Sequence, residues 1–191
     1  MDTLGEKLGF IALLFTMMSI SSSPHPITLI ICYGIHEIGH IVTAKAVGAK
    51  IGRMRSGIFR LCISYDCSNV SYVRELAVCA GGIIFNLLSA LVTYICGLSR
   101  YELGGFFILC NLSLAIMNIY PISILDGGGI LRCFFLTFFE PGKAKKICVF
   151  FSFFFAFVMW LCAVYLQLVF RSDLSLFFIS VFLLVELCFS V

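Results

Sequence analysis

Residues 27–47 read ITLIICYGIHEIGHIVTAKAV, and inside this apolar run stand His36, Glu37 and His40. About 20 apolar residues cross a bilayer as a helix, so the run reads as a transmembrane segment. Two imidazoles and a carboxylate at that depth are costly unless something compensates them. Residues four apart share one face of a helix, so His36 and His40 can hold a single zinc ion. Glu37 then lies beside the ion and can act as general base for the water it activates. The chain has 3 histidines in all, and two of them fall in this one turn. The chemistry these residues point to is metal-dependent peptide hydrolysis inside a membrane.

The rest of the chain fits that setting. It is 61% hydrophobic and 12% charged, with a mean hydropathy of +1.10 over 191 residues. Soluble domains carry roughly a quarter charged residues. The expected fold is an all-α polytopic membrane protein with a short membrane-surface β segment after the second helix. Six spans are expected, at about 8–23, 27–47, 76–97, 104–124, 147–170 and 174–190. Residues 8–23 do not read as a signal peptide, because the segment before them holds Asp2 and Glu6 against Lys7 and no A-x-A-like site follows. One membrane-embedded domain over 1–191 is expected, with its catalytic core at about 27–132.

Charge sets the expected orientation. Lys7, Lys45, Lys50, Arg53, Arg55, Arg60, Arg74, Arg132, Lys143, Lys145 and Lys146 fall on one side of that layout, and Arg100 and Arg171 on the other. Cytoplasmic loops carry the excess of basic residues, so both termini are expected in the cytoplasm and the protein in a cell membrane. His36 and His40 then lie in the inner half of their span. The net charge of +3 needs no nucleic-acid partner, since loops at an anionic inner leaflet are basic in any case. Lys143, Lys145 and Lys146 read as a topology anchor. The 10 cysteines show no C-x-x-C and no framework spacing. Most fall within spans, and Cys62 and Cys67 are expected as reduced thiols on the cytoplasmic side.

The one long connection, residues 48–75, holds Gly48, Gly52 and Gly57 and then an alternating run over 58–65. That run reads as one or two short strands, held near the headgroups by Arg53, Arg55 and Arg60. It serves either as a solvated connector or as an edge strand that pairs with an unwound substrate segment.

Two histidines leave a catalytic zinc one protein ligand short. Among the acids, Asp126 stands apart. It closes the fourth expected span in Asn118-Ile119-Tyr120-Pro121-Ile122-Ser123-Ile124-Leu125-Asp126-Gly127-Gly128-Gly129. Pro121 interrupts a helix, and the glycines let the backbone turn sharply. Broken backbone at membrane depth is tolerated only inside protein or against a watery cavity, which suits a buried ligand. The same string also suits an ordinary helix end at the interface.

These motifs together resemble the site-2 protease family of intramembrane zinc metalloproteases. The matching residues are His36-Glu37-x-x-His40 and Asn118-x-x-Pro121-x-x-x-Leu125-Asp126-Gly127-Gly128, with Asp126 86 residues after His40. The resemblance implies one zinc (Zn2+) per chain on His36, His40 and Asp126, with Glu37 as catalytic base. Ala80-Gly81-Gly82-Ile83-Ile84-Phe85-Asn86 resembles a further element of the family, with Gly82 where proline is common. Ala44 and Gly48 stand where the family often has small residues. The resemblance covers about 28–132. The family often has a second proline near Ser123 and a basic residue where this chain has Gly129. No PDZ-like insert fits at 98–103 and no CBS-like module follows the sixth expected span, a minimal layout nearest the sporulation sigma-factor-processing branch.

Asn86 and Asn118 are amides within apolar spans. They serve either as interhelical hydrogen bonds or as donors to the oxyanion or the substrate backbone. His25, between Pro24 and Pro26, reads as an exposed outer-loop residue. The run of phenylalanines over 150–157 reads as lipid-facing or packing bulk. The expected partners are the lipid bilayer and a membrane-associated or single-span substrate cut near the cytoplasmic face. A regulatory membrane partner or a second copy of the chain is compatible with this layout. A metal-ion transporter would also place His and acids in broken helices, but with repeated halves and a ligand series along a path. A non-catalytic client-binding homologue is the other alternative. Glu37 speaks against it, because such homologues commonly lose the base.

Overall fold

The computed structural model describes residues 25–57, 60–66, 71–170 and 175–190. The first expected span, 8–23, and Cys67 lie outside the described residues. The chain divides into two compact units, Met1–Met117 and Asn118–Val191.

The first unit opens with helix α1, His25–Ala46. His25 starts this helix and is not part of a loop. Pro26 fits there because the first turn of a helix has no backbone partner for its N–H groups. Helix α1 ends in a glycine-closed turn. Gly48 takes φ 73°, the Ala49 N–H donates to the Ala44 carbonyl at 2.9 Å, and the Gly48 N–H donates to Lys45 at 3.1 Å. This is the Schellman pattern, and Ala44 and Ala49 complete it by packing together against Val78. A side chain at Gly48 would be strained by its left-handed backbone. Strands β1, Lys50–Gly57, and β2, Arg60–Asp66, then pair antiparallel, with Lys50 opposite Asp66 and Gly57 opposite Arg60. One irregularity between Ile51 and Met54 shifts the register, as a β-bulge does.

Helix α2, Tyr72–Ile95, starts behind Ser71 with Glu75 in its first turn, where an acid meets the positive end of the helix dipole. It begins four residues earlier than the expected span. Gly97 at φ 71° ends it, and a short 3-10 turn, Leu98–Arg100, leads into helix α3, Glu102–Ile119. Helices α1 and α2 cross at glycines. A Cβ at Gly39 would lie 2.6 Å from the Gly81 carbonyl oxygen, and one at Gly81 would lie 2.8 Å from the Gly39 oxygen. Small residues at the crossing let the backbones touch, which is how helices associate where lipid removes the hydrophobic drive.

The second unit begins at the end of α3. The expected span 104–124 does not run through: α3 stops at Ile119, residues 120–125 are non-helical, and a separate helix α4 spans Asp126–Phe138. Pro121 is the physical reason, since it disfavours a helical residue before it and supplies no N–H to continue the ladder. Asp126 therefore opens a helix and does not close one. The stretch read as a loop around Arg132 is that helix. The break is pinned at two points. Ile122 is fully buried among Ala156, Met159, Leu183 and Leu187, and the Ser123 N–H donates to Ser152 Oγ at 2.9 Å. Ser152 Oγ in turn donates to the Cys148 carbonyl at 2.7 Å. Helix α5, Pro141–Phe170, and helix α6, Ser175–Ser190, complete the unit. Phe150 and Phe154 stack on the outside of α5 at 6.4 Å.

Among the described residues, four helices are long and apolar enough to cross a membrane: α1, α2, α3 and α5. The apolar run of α6, Phe177–Cys188, is shorter. Their outward faces carry Ile30, Ile38, Leu91, Ile95, Phe150 and Leu168, all exposed. Such a surface would drive aggregation in water and is ordinary against lipid. The fold is that of an all-α polytopic membrane protein. The 8 cysteines whose side chains are described are free thiols.

Candidate metal centre

His36 and His40 sit on the face of α1 that meets α2, and both are buried, at 4% and 9% exposure. Helix α2 runs back past them, so its residues at four-residue spacing face the rings in reverse order. Val78 lies by His40, Gly82 lies against both rings, and Asn86 lies by His36. His40 Nδ1 is 2.8 Å from the Val78 carbonyl oxygen. That oxygen only accepts, so Nδ1 carries the hydrogen and the lone pair of a neutral ring is left on Nε2. The two Nε2 atoms face each other at 3.2 Å. Two nitrogens about 2.0–2.1 Å from one tetrahedral zinc stand about 3.3 Å apart, so this pair has the spacing of two ligands on one ion. The rings meet edge to face, with centroids 4.8 Å apart.

Gly82 makes this fit possible. A Cβ there would stand 2.5 Å from His40 Nε2 and 2.6 Å from His36 Cε1. Asn86 is fully buried, with its amide nitrogen 3.3 Å from His36 Nδ1 and its Oδ1 without a hydrogen-bond partner among the described residues. The amide thus makes a contact between helices, to His36, one of the two roles the sequence left open for it. The Val78 carbonyl was not singled out from the sequence. The signal available for it was the four-residue spacing 78, 82, 86 along one helix face.

Glu37 is half-buried on α1 between the two histidines. In the second unit, Asp126 is 7% exposed and is the first residue of α4, where the helix N-terminus favours a carboxylate. The glycines after it act by close approach. Among the described residues only Gly48 and Gly97 have positive φ, so Gly127 and Gly128 are not sharp turns, contrary to the sequence reading. A Cβ at Gly127 would fall on the carbonyl oxygens of Ile119 and Tyr120, and one at Gly128 on the Ile122 carbonyl. Asn118, in the last turn of α3, is half-buried.

Apolar spans with a buried, facing pair of histidines in one of them define a membrane protein with a candidate metal site. Residues 98–159 match the model of Peptidase family M50. That match takes in the Asn118-to-Gly128 motif. The fold is similar to that of the site-2 protease from Methanocaldococcus jannaschii, with a TM-score of 0.72 and 22% identity over 95% of this chain and 86% of that one. No curated protein matches the chain. The match to the family model is thus confined to residues 98–159, and the likeness to the solved site-2 protease is one of fold.

Proposed function

We propose that this protein is an intramembrane zinc metalloendopeptidase that holds one zinc on His36, His40 and Asp126, with Glu37 as its general base. The observation that carries the proposal is the imidazole pair. Two buried rings present Nε2 to Nε2 at 3.2 Å, and the far nitrogen of His40 is tied to a backbone carbonyl. Asp126 supplies the third, anionic ligand that catalytic zinc sites usually have. Zinc in such a site supplies Lewis-acid activation of water and of the scissile carbonyl.

The chain's own residues do the rest. Glu37 removes the proton from the attacking water and delivers it to the leaving amine, so hydroxyl goes to the new carboxyl terminus and hydrogen to the new amine. To Asn118 we assign donation to the developing oxyanion or to the substrate backbone. A helical substrate shields its amides, so it must unwind to be cut. The β1–β2 pair offers an edge on which an extended segment can form backbone hydrogen bonds. The substrate is a membrane-associated or single-span protein, cleaved near the cytoplasmic face.

The test pairs two readouts on purified protein and in co-expression with candidate substrates. Glu37→Gln keeps size but cannot take the proton, so it is expected to retain stoichiometric zinc and lose ~10²–10⁴ in rate. The His36→Ala, His40→Ala double variant is expected to lose the metal. Zinc retained at full stoichiometry by the double variant would move the site elsewhere, and undiminished cleavage by Glu37→Gln would remove the base.

A further inference from the structure

We infer that Asn86 is a positioning residue for His36: its amide sets which imidazole nitrogen carries the hydrogen, and so frees Nε2 for the metal. The inference rests on the metal reading above and concerns a residue that reading leaves without a role. A neutral imidazole has one N–H, and the nitrogen that offers a lone pair to a metal leaves the hydrogen on the other. Metal-binding histidines accordingly give their second nitrogen a fixed acceptor. For His40 that acceptor is the Val78 carbonyl, at 2.8 Å from Nδ1. For His36, one turn earlier on α1, the group facing Nδ1 is the Asn86 amide at 3.3 Å.

An amide differs from a carbonyl in presenting two arms. With its nitrogen toward His36, Asn86 donates to a bare Nδ1. The hydrogen then lies on Nε2, which faces His40 Nε2 at 3.2 Å and donates to it. With the amide rotated by a half-turn, Oδ1 accepts from Nδ1–H and both Nε2 lone pairs are free. The two arms have nearly the same shape, so the exchange needs no movement of the helix. Asn86 is fully buried, and its Oδ1 has no hydrogen-bond partner among the described residues. The acceptor that the metal-binding tautomer requires is thus already present one bond rotation away. At 0% exposure and packed against the ring, the side chain acts through His36.

The two roles for Asn86 predict different behaviour. A group that touches only substrate leaves metal affinity alone. A group that sets the His36 tautomer changes zinc affinity by roughly 10–100-fold when removed. Zinc affinity is measured by competition with a chromophoric chelator in wild type, Asn86→Leu and Asn86→Asp. The same proteins loaded with cobalt report ligand geometry through their visible absorption. Asn86→Leu is expected to lose at least tenfold in zinc affinity and to shift the cobalt spectrum. Asn86→Asp presents only acceptors, and is expected to bind zinc within a few-fold of wild type with a wild-type cobalt spectrum. Asn111→Leu makes the same substitution at another fully buried amide, one bonded to Cys32 Sγ and the Phe107 carbonyl, and is expected to leave zinc affinity unchanged.

Wild-type affinity in Asn86→Leu overturns the inference, as does an equal loss in Asn111→Leu. Should Asn86→Leu fail to fold, a tenfold loss in Asn86→Asp overturns it alone. Wild-type protein that binds no zinc overturns the reading beneath it, an outcome distinct from the others.

Discussion

Gly39 is held at the crossing of α1 and α2 by backbone. A Cβ there would lie 2.6 Å from the Gly81 carbonyl oxygen and 2.8 Å from Phe85 Cβ, and neither is the end of a flexible side chain. The helices would have to part, and His40 would be drawn off the Val78 carbonyl. Gly39→Ala is therefore expected to destabilise the protein by about 1–3 kcal/mol and to weaken zinc binding, checked by thermal melting in detergent and chelator competition. A stability equal to wild type would show that the crossing has room. At this scale the facing of His36 and His40 was legible in the sequence, because i, i+4 spacing on one helix is local geometry. It named Asn86 but left two roles open, since the direction of a side chain depends on which helix lies opposite.

The elements around the site are set by their ends. Ala44 and Gly48 are small because α1 closes in a Schellman turn against Val78, which holds the start of the His40 contact in place. In the second unit, the break over 120–125 is locked by Ile122 in an apolar cluster and by Ser123 on Ser152, and α4 then starts at Asp126. Gly128 lies against the Ile122 carbonyl, so a methyl group there must move the start of α4 and the carboxylate on it. Gly128→Ala is expected to cut zinc affinity at least tenfold while circular dichroism shows undiminished helix. Gly142→Ala meets nothing within 4 Å and is the control expected to match wild type. Equal zinc affinity in the two variants would detach Asp126 from the metal. Sequence reading found the break through Pro121 but ran the span past it, because apolar composition continues through 120–125 although the backbone ladder does not.

For the whole molecule, the Lys/Arg asymmetry yields a topology. Val191 is expected in the cytoplasm and the turn at Leu98–Arg100 on the opposite side. Paired reporter fusions at these two places test it: a cytoplasm-active reporter should work at Val191 and fail in the turn. The reverse pattern would invert the protein and place His36 and His40 in the outer half of their span. Likeness of fold to a site-2 protease across 95% of the chain at 22% identity shows how much sequence can change while the helices stay in place. Lipid constrains each helix to be apolar and fully hydrogen-bonded along its backbone, and many apolar sequences satisfy that.

What the sequence by itself determined was the membrane setting, the runs of helix and the pairing of His36 with His40 on one helix face. Each of these follows from composition or from spacing within a single helix. What only the tertiary structure decided were the contacts made across the chain: the Val78 carbonyl on His40, Asn86 on His36, Gly82 against both rings, and Gly127 and Gly128 against the carbonyls of the preceding break. These depend on which backbone comes alongside which side chain; the spacing 78, 82, 86 puts those residues on one helix face but does not say what lies opposite.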